Sequence, residues 1–301
     1  MKLADIPKPE LIKTLKTQGL RLKIGGYAVC VSSPIAEVAE HLSCLYDAFE
    51  IISADGFVDF HVALQAPSGL RHYWHPQVNF SFDGHLPFKP LPYDQAAALF
   101  EWGLNWCVAS HSNHYLVIHA AVVALNNQAF IFPGTPGSGK STLCAALVES
   151  GWRLLSDEMA LMSLADGRVY PLPRPISLKN RSVDVIQDFS PSAVFGKLVH
   201  DTSKGSVGHL RPPNASVEAG LKPAQPSQLI FPKYEASSCT QLLPLSKGRA
   251  MIKLAENCFN YNILGAHGFN GAADLITACG CYDFKYSHLD EAVTLFTELA
   301  Q

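Results

Sequence analysis

A glycine-rich octapeptide, GTPGSGKS at residues 134–141, limits this chain more than any other stretch. The apolar, strand-like segment QAFIFP (128–133) runs into it, and a helical segment from Ser141 to about Glu149 follows, closed by Gly151 in a C-cap role. Strand, G-x-x-x-x-G-K-[ST] loop and helix, in that order, form the context in which such a loop holds a nucleotide phosphate. The glycines let successive backbone N–H groups point inward around an oxyanion. The helix adds the partial positive charge of its N-terminus. Lys140 is placed to neutralise the β- and γ-phosphates, and the Ser141 hydroxyl to ligate Mg²⁺. The expected nucleotide contacts are Gly134, Thr135, Pro136, Gly137, Ser138, Gly139, Lys140, Ser141 and Thr142.

A phosphate loop alone does not separate a kinase from a switch, a motor or a transporter ATPase. Two neighbouring features bear on the choice. His119 interrupts the apolar strand LVIHAAVVAL (116–125), fifteen positions before Gly134, and the turn signal Asn126-Asn127 folds that strand back onto QAFIFP. Asp157 and Glu158 follow the short run WRLLS, sixteen and seventeen positions after Ser141. Taken singly, each has a plain structural explanation: a hydrogen-bonded core histidine, and a solvated strand end. Taken together they fit phosphoryl transfer. An alcohol must lose its proton as it attacks phosphorus, one carboxylate can accept that proton, and its neighbour can hold Mg²⁺. Consecutive strand residues face opposite sides, so both carboxylates serve one site only if the strand ends or kinks at Ser156. Glu158 is read as the base and Asp157 as directed toward metal or His119. A charged His119 would compensate one of the two.

LVIHAAVVAL, FPGTPGSGKSTLCAALVESGWRLLSDE and PRPISLKN together resemble the HPr kinase/phosphorylase relatives, most nearly the subgroup called HprK-related kinase A. The resemblance spans about 95–190. It extends more loosely through HLRPP, IFPKYE and GCYDFKYSHLDEAV to the end, and EWGLNW resembles the same subgroup before it. It implies an α/β fold of the phosphoenolpyruvate carboxykinase and HPr kinase type, with ATP and Mg²⁺ as cofactors. By resemblance His119 matches the catalytic histidine, Lys140 the phosphate-binding lysine and Ser141 a Mg²⁺ ligand. Glu158 stands at the proton-accepting position and Asp157 at its partner's, with Ser141 and Asp157 the expected metal contacts. Three departures stand out. Glu replaces Asp at 158, so base and metal roles at 157 and 158 can be exchanged. Ala120 follows His119 where HPr kinase has Gly. The later acidic Mg²⁺ ligand has no clear counterpart near PRPISLKN, which bears against the reverse, phosphorylase reaction.

Charge developing on a transferred phosphoryl group calls for cations, and Arg174, Lys179 and Arg211 lie in the remaining suggestive stretches. Arg211 is counted with the catalytic set. Between 196 and 227 the composition turns to Gly, Lys, Ser, Pro and Asn, which predicts a long mobile loop, read as an acceptor-side lid by its position. Short alternating runs such as RLKIGGYAVCV, FVDFHVAL and QVNFSF predict a mainly β portion over 1–92, with a helix around 34–48, ahead of a kinase-like domain over 93–301. Asp94 is expected to cap the helix that opens that domain. Helices are also expected at 270–279 and 288–300.

The chain of 301 residues is 48% apolar and 16% charged with net charge −3, which gives no electrostatic footprint for nucleic acid or an anionic membrane. No apolar run approaches the roughly 20 residues of a membrane span, and the first residues lack a signal-peptide core, so a cytoplasmic protein is expected. Eight scattered cysteines without a CxxC pair read as free thiols in a reducing compartment. The resemblance to HPr kinase implies a serine of a protein or peptide as acceptor, and the subgroup's association with a small PqqD-like peptide-binding partner favours a ribosomal peptide. A small-molecule alcohol kinase of the same fold, or a nucleotide-binding scaffold without turnover, are the alternatives. A homo-oligomer is compatible with the sequence.

Overall fold

The structure, a computed structural model, describes residues 1–53, 55–67 and 74–301. The alternating runs of the N-terminal third form β1 (Leu20–Ile24), β2 (Tyr27–Ser32), β3 (Glu50–Ile51), β4 (Phe60–Gln65), β5 (Gln77–Phe82) and β6 (Leu91–Pro92). They make one sheet in the order β3-β1-β2-β4-β5-β6, in which β2 and β4 run parallel and the other pairs antiparallel. Helices α1 (Lys8–Thr17) and α2 (Ala36–Leu45) cover it. Their apolar residues, among them Leu11, Leu15, Val38 and Leu42, are buried with Leu22, Val31 and Phe80 of the strands.

Helix α3 (Ala96–His111) joins this same core through Leu99, Phe100, Leu104 and Val108. By packing it therefore sides with the N-terminal sheet, although the sequence boundary at 92 assigns it to the second domain. Asp94 is not its cap: Tyr93–Gln95 form a 3-10 turn, and the helix opens at Gln95 without a side-chain cap bond.

The second sheet holds β7 (Tyr115–Leu125), β8 (Gln128–Pro133), β9 (Arg153–Ser156), β10 (Met159–Ser163), β11 (Val169–Tyr170), β15 (Gln225–Tyr234), β16 (Gln241–Pro244) and β17 (Gly280–Tyr286). Its order is β11-β10-β7-β8-β15-β17-β16, with β9 also beside β7; β8, β15 and β17 are parallel. Asn126 and Asn127 close the β7–β8 hairpin at φ 50° and 65°, the left-handed pair a two-residue turn requires. Alternate residues of the hairpin feed opposite layers. Ala121, Val123, Phe130 and Phe132 pack toward α4 (Lys140–Glu149) and α10 (Leu289–Leu299). Ile118, Ala120, Val122 and Ile131 pack toward α7 (Lys247–Glu256) and α9 (Ala266–Ala278), which a short α8 (Tyr261–Leu264) joins. Helices on both faces of a partly parallel sheet make this an α/β layer structure.

The expected mobile loop over 196–227 is instead ordered. It supplies β13 (Val199–Thr202), β14 (Gly205–Leu210) and the short α6 (Asn214–Glu218), and the two strands pair with β12 (Ile176–Lys179) in a third sheet, order β12-β14-β13. Leu210 faces the core with Ile176 and Leu178 of β12, while Val199 and Val207, a register pair, are buried on the opposite face. Gly205, at φ 83°, turns the hairpin. Helix α5 (Arg181–Phe189) packs against both this sheet and α4, which itself touches β12. No helix among the described residues is long and apolar enough to cross a membrane.

Candidate active site

The site is organised by β7, the longest strand. On one flank its Ala120 pairs with Pro133, the last residue of β8, so the phosphate loop begins beside His119. On the other flank Val122 pairs with Ser156 of β9 and His119 with Met159 of β10. Between those two pairings, Asp157 and Glu158 belong to neither strand and lie across from Ala120 and Ala121. The strand does end at Ser156, as a shared role for both carboxylates requires. With neighbouring strands about 4.8 Å apart, loop and acid pair stand within about 10 Å of each other across β7.

The loop has the conformation its glycines allow. Gly137 and Gly139 lie at φ 87° and 96°. At Gly139 there is no room for a side chain either: a Cβ would run into the Tyr286 hydroxyl, which donates to the Gly139 carbonyl at 2.9 Å. The Tyr234 N–H holds the Ser138 carbonyl at 2.9 Å. Thr135, Pro136 and Gly137 form the exposed tip, and Gly134 its half-buried root. Lys140 is buried, and its Nζ donates to the Gly134 and Thr135 carbonyls at 2.6 and 3.2 Å. Burial lowers its pKa, and Asp157 and Glu158 oppose that shift. The N–H groups of the first turn of α4 remain for a phosphate. Thr142 is turned aside, its hydroxyl donating to Ser182 of α5 at 2.9 Å.

Asp157 is buried; Oδ2 accepts the Ser177 N–H at 3.0 Å, and Oδ1 has no partner. Burial and the neighbouring Glu158 push its carboxyl up to about 7, while the Ser177 N–H, the Ser141 hydroxyl and Lys140 pull the other way. An orphaned carboxylate oxygen near the Ser141 hydroxyl fits Mg²⁺, a hard cation bound through one or two protein oxygens. Among the described residues no group of three or more His, Cys, Asp or Glu gathers as a metal cluster.

Glu158 is half-buried, and its charge acts on His119, Lys140 and Lys204. His119 donates its backbone N–H to the Asn257 carbonyl at 2.6 Å, and its ring lies 5.6 Å from that of Phe259. Burial, with Lys140 next in weight, lowers the imidazole to about 4 despite Glu158. His119 is therefore neutral near pH 7 and does not supply the compensating charge considered for it. The nearby cations are Lys140, Lys179 and Lys204, all of which act on the imidazole.

Of the two arginines, Arg174 is brought to the acid pair and Arg211 is not. Arg211 pairs with Asp47 at 2.9 Å, where both side chains are partly exposed. Arg174 is buried against Glu101 of α3, and a small cavity beside them is lined also by Trp102, Asn105, Asp157 and Glu158. Trp102, Asn105 and Lys204 are site neighbours that the sequence did not single out. EWGLNW carries no spacing that marks a site, and the composition around Lys204 predicts loop.

No protein-family model and no curated protein matches this sequence. Among solved structures, the chain is similar to the Hpr(Ser) kinase/phosphatase from Coxiella burnetii, with TM-score 0.27 and 11% identity over 61% of this chain and 96% of that one.

Proposed function

We propose that the protein is a Mg²⁺-ATP-dependent kinase that transfers the γ-phosphoryl group to a hydroxyl, with the nucleotide fold of the phosphoenolpyruvate carboxykinase and HPr kinase type. The observation that carries this reading is the two-residue break between β9 and β10, which sets Asp157 and Glu158 across β7 from the phosphate loop. A protein that only bound nucleotide would have no need for a second carboxylate there.

In this reading the loop N–H groups and Lys140 bind the triphosphate. Ser141 and Asp157 would hold Mg²⁺, which would supply positive charge against the phosphates. Glu158 takes the acceptor's proton as its oxygen bonds to the γ-phosphorus and the bond to ADP breaks. Because burial keeps His119 neutral, it stands near Glu158 as a neutral imidazole rather than as a counter-charge. Lys179 and Lys204 stand on the side where the acceptor and the transferring charge meet. Within this class the motifs favour the HprK-related kinase A subgroup, cytoplasmic, with a serine of a protein or ribosomal peptide as acceptor and a PqqD-like protein as its carrier.

The test is incubation with γ-labelled ATP and candidate peptides, read by mass spectrometry. Lys140→Ala should abolish nucleotide binding or transfer. Glu158→Gln should keep ATP affinity yet lose transfer by at least a hundredfold. Normal turnover by both Glu158→Gln and Asp157→Asn would remove the base from the scheme.

A further inference from the structure

Ten buried side-chain atoms among the described residues lack a hydrogen-bond partner, and six belong to residues lining the one cavity beside the acid pair: Trp102 Nε1, Asp157 Oδ1, Arg174 Nε, Ser177 Oγ and both ring nitrogens of His209. Buried polar atoms without partners are rare and call for an explanation. Here they are concentrated in one place.

The cavity is built, and by both halves of the chain. Glu101 accepts from His41 Nε2 at 2.7 Å and from the Tyr46 hydroxyl at 2.8 Å, and pairs with Arg174. Arg174 also donates through Nη1 to Asn105 and through Nη2 to the Glu101 carbonyl at 2.8 Å. Burial would neutralise Glu101, but Arg174 and His41 outweigh it and hold the carboxyl well below its usual range. Both terminal nitrogens of Arg174 are thus engaged, and Nε is the guanidinium nitrogen without a partner. Lys204 lies 4.9 Å from the centre of the Trp102 ring and feels the charge of Glu158, which ties that ring to the acceptor side.

The lining specifies its ligand. Trp102 and Arg174 can only donate, whereas the Glu158 carboxylate, which also lines the cavity, can only accept. A bare cation meets two N–H donors there, and a bare anion meets Glu158. A hydroxyl both donates and accepts. The cavity volume of about 10 Å³ is close to what one water molecule needs, too small for a phosphate or an aromatic ring.

We propose that this cavity receives the acceptor's hydroxyl as that of an aliphatic primary alcohol, with Trp102 Nε1–H and Arg174 Nε–H donating to the oxygen. The N-terminal unit thereby becomes half of the acceptor site through α3. The use of the cavity rests on the kinase reading; its preference for a hydroxyl does not. The experiment is a titration of the full-length, ¹⁵N-labelled chain, with Mg²⁺ and a non-hydrolysable ATP analogue, by N-acetylserinamide. The indole N–H resonance that disappears in Trp102→Phe should shift and saturate, while those of Trp106 and Trp152 stay. N-acetylalaninamide should move none of them. Trp102→Phe keeps the ring under Lys204, so it should weaken the serine probe by about five- to tenfold with nucleotide affinity and melting temperature unchanged. A Trp102 resonance that stays fixed, or equal responses to the two amides, overturns the proposal and leaves a cavity for structural water only. Calorimetry of nucleotide binding, with Lys140→Ala as control, separates the two ideas: no nucleotide binding beside an intact Trp102 response would remove the kinase and keep the alcohol pocket.

Discussion

His119 and His209 show how burial, more than identity, sets what a side chain does. Both imidazoles are neutral in the fold, at about 4 and about 3, with burial the largest cause in each. Around His209 the titratable and charged groups are Glu101, His41, Arg174 and Lys179; around His119 they are Lys140, Glu158, Lys179 and Lys204. A histidine in the unfolded chain titrates near 6.5, so between that value and about 4 the unfolded state binds more protons. Stability is fully present above pH 6.5 and falls as pH drops through the window. Urea unfolding from pH 8 to 5 should therefore show a plateau and then a decline below 6.5. His209→Phe, which retains the ring volume, should flatten that decline. A slope unchanged in the variant would mean that His209 is not buried neutral. The sequence marked His119 and missed His209, because a histidine in HLRPP carries no spacing that distinguishes it from a surface residue.

At the scale of elements, the β7–β8 hairpin decides the site, since it sets His119 beside the start of the phosphate loop. Asn127 occupies the left-handed region at φ 65°. Asn127→Gly should be neutral or slightly stabilising, and Asn127→Ala should cost about 1 kcal/mol, read as a shift in urea midpoint at constant slope. No difference between the two would mean that the turn relaxes out of this conformation. This hairpin was legible from Asn-Asn between two apolar runs, and so was the helix after the loop. The break after Ser156 followed from the chemistry: adjacent carboxylates with one job cannot both stay in a pleated strand. The β13–β14 hairpin was not legible, because its polar, glycine-rich composition looks like loop until β12 is present to pair with it.

Across the whole molecule, the Glu101–Arg174 pair binds the N-terminal sheet to the α/β layers. Both side chains are almost wholly buried, and the pair also engages His41 and Tyr46 from the segment of α2. Removing one member leaves the other charged and unpaired in the interior, which costs about 3–5 kcal/mol. Glu101→Ala should lower stability by that order, and wild type should unfold in one transition in which near-UV and far-UV signals coincide. Two separated transitions in wild type would show that the halves do not depend on each other. The sequence could not show this dependence, for it lies between residues more than sixty positions apart whose individual contexts look ordinary. The ladders on either side of β7 have a different consequence. They hold phosphate loop and acid pair at a spacing dictated by backbone hydrogen bonding, so that distance cannot drift as partners come and go. Acceptor recognition as proposed would rest instead on a helix from another layer and the β13–β14 hairpin tip, so altering those parts would change the acceptor and leave that spacing as it is.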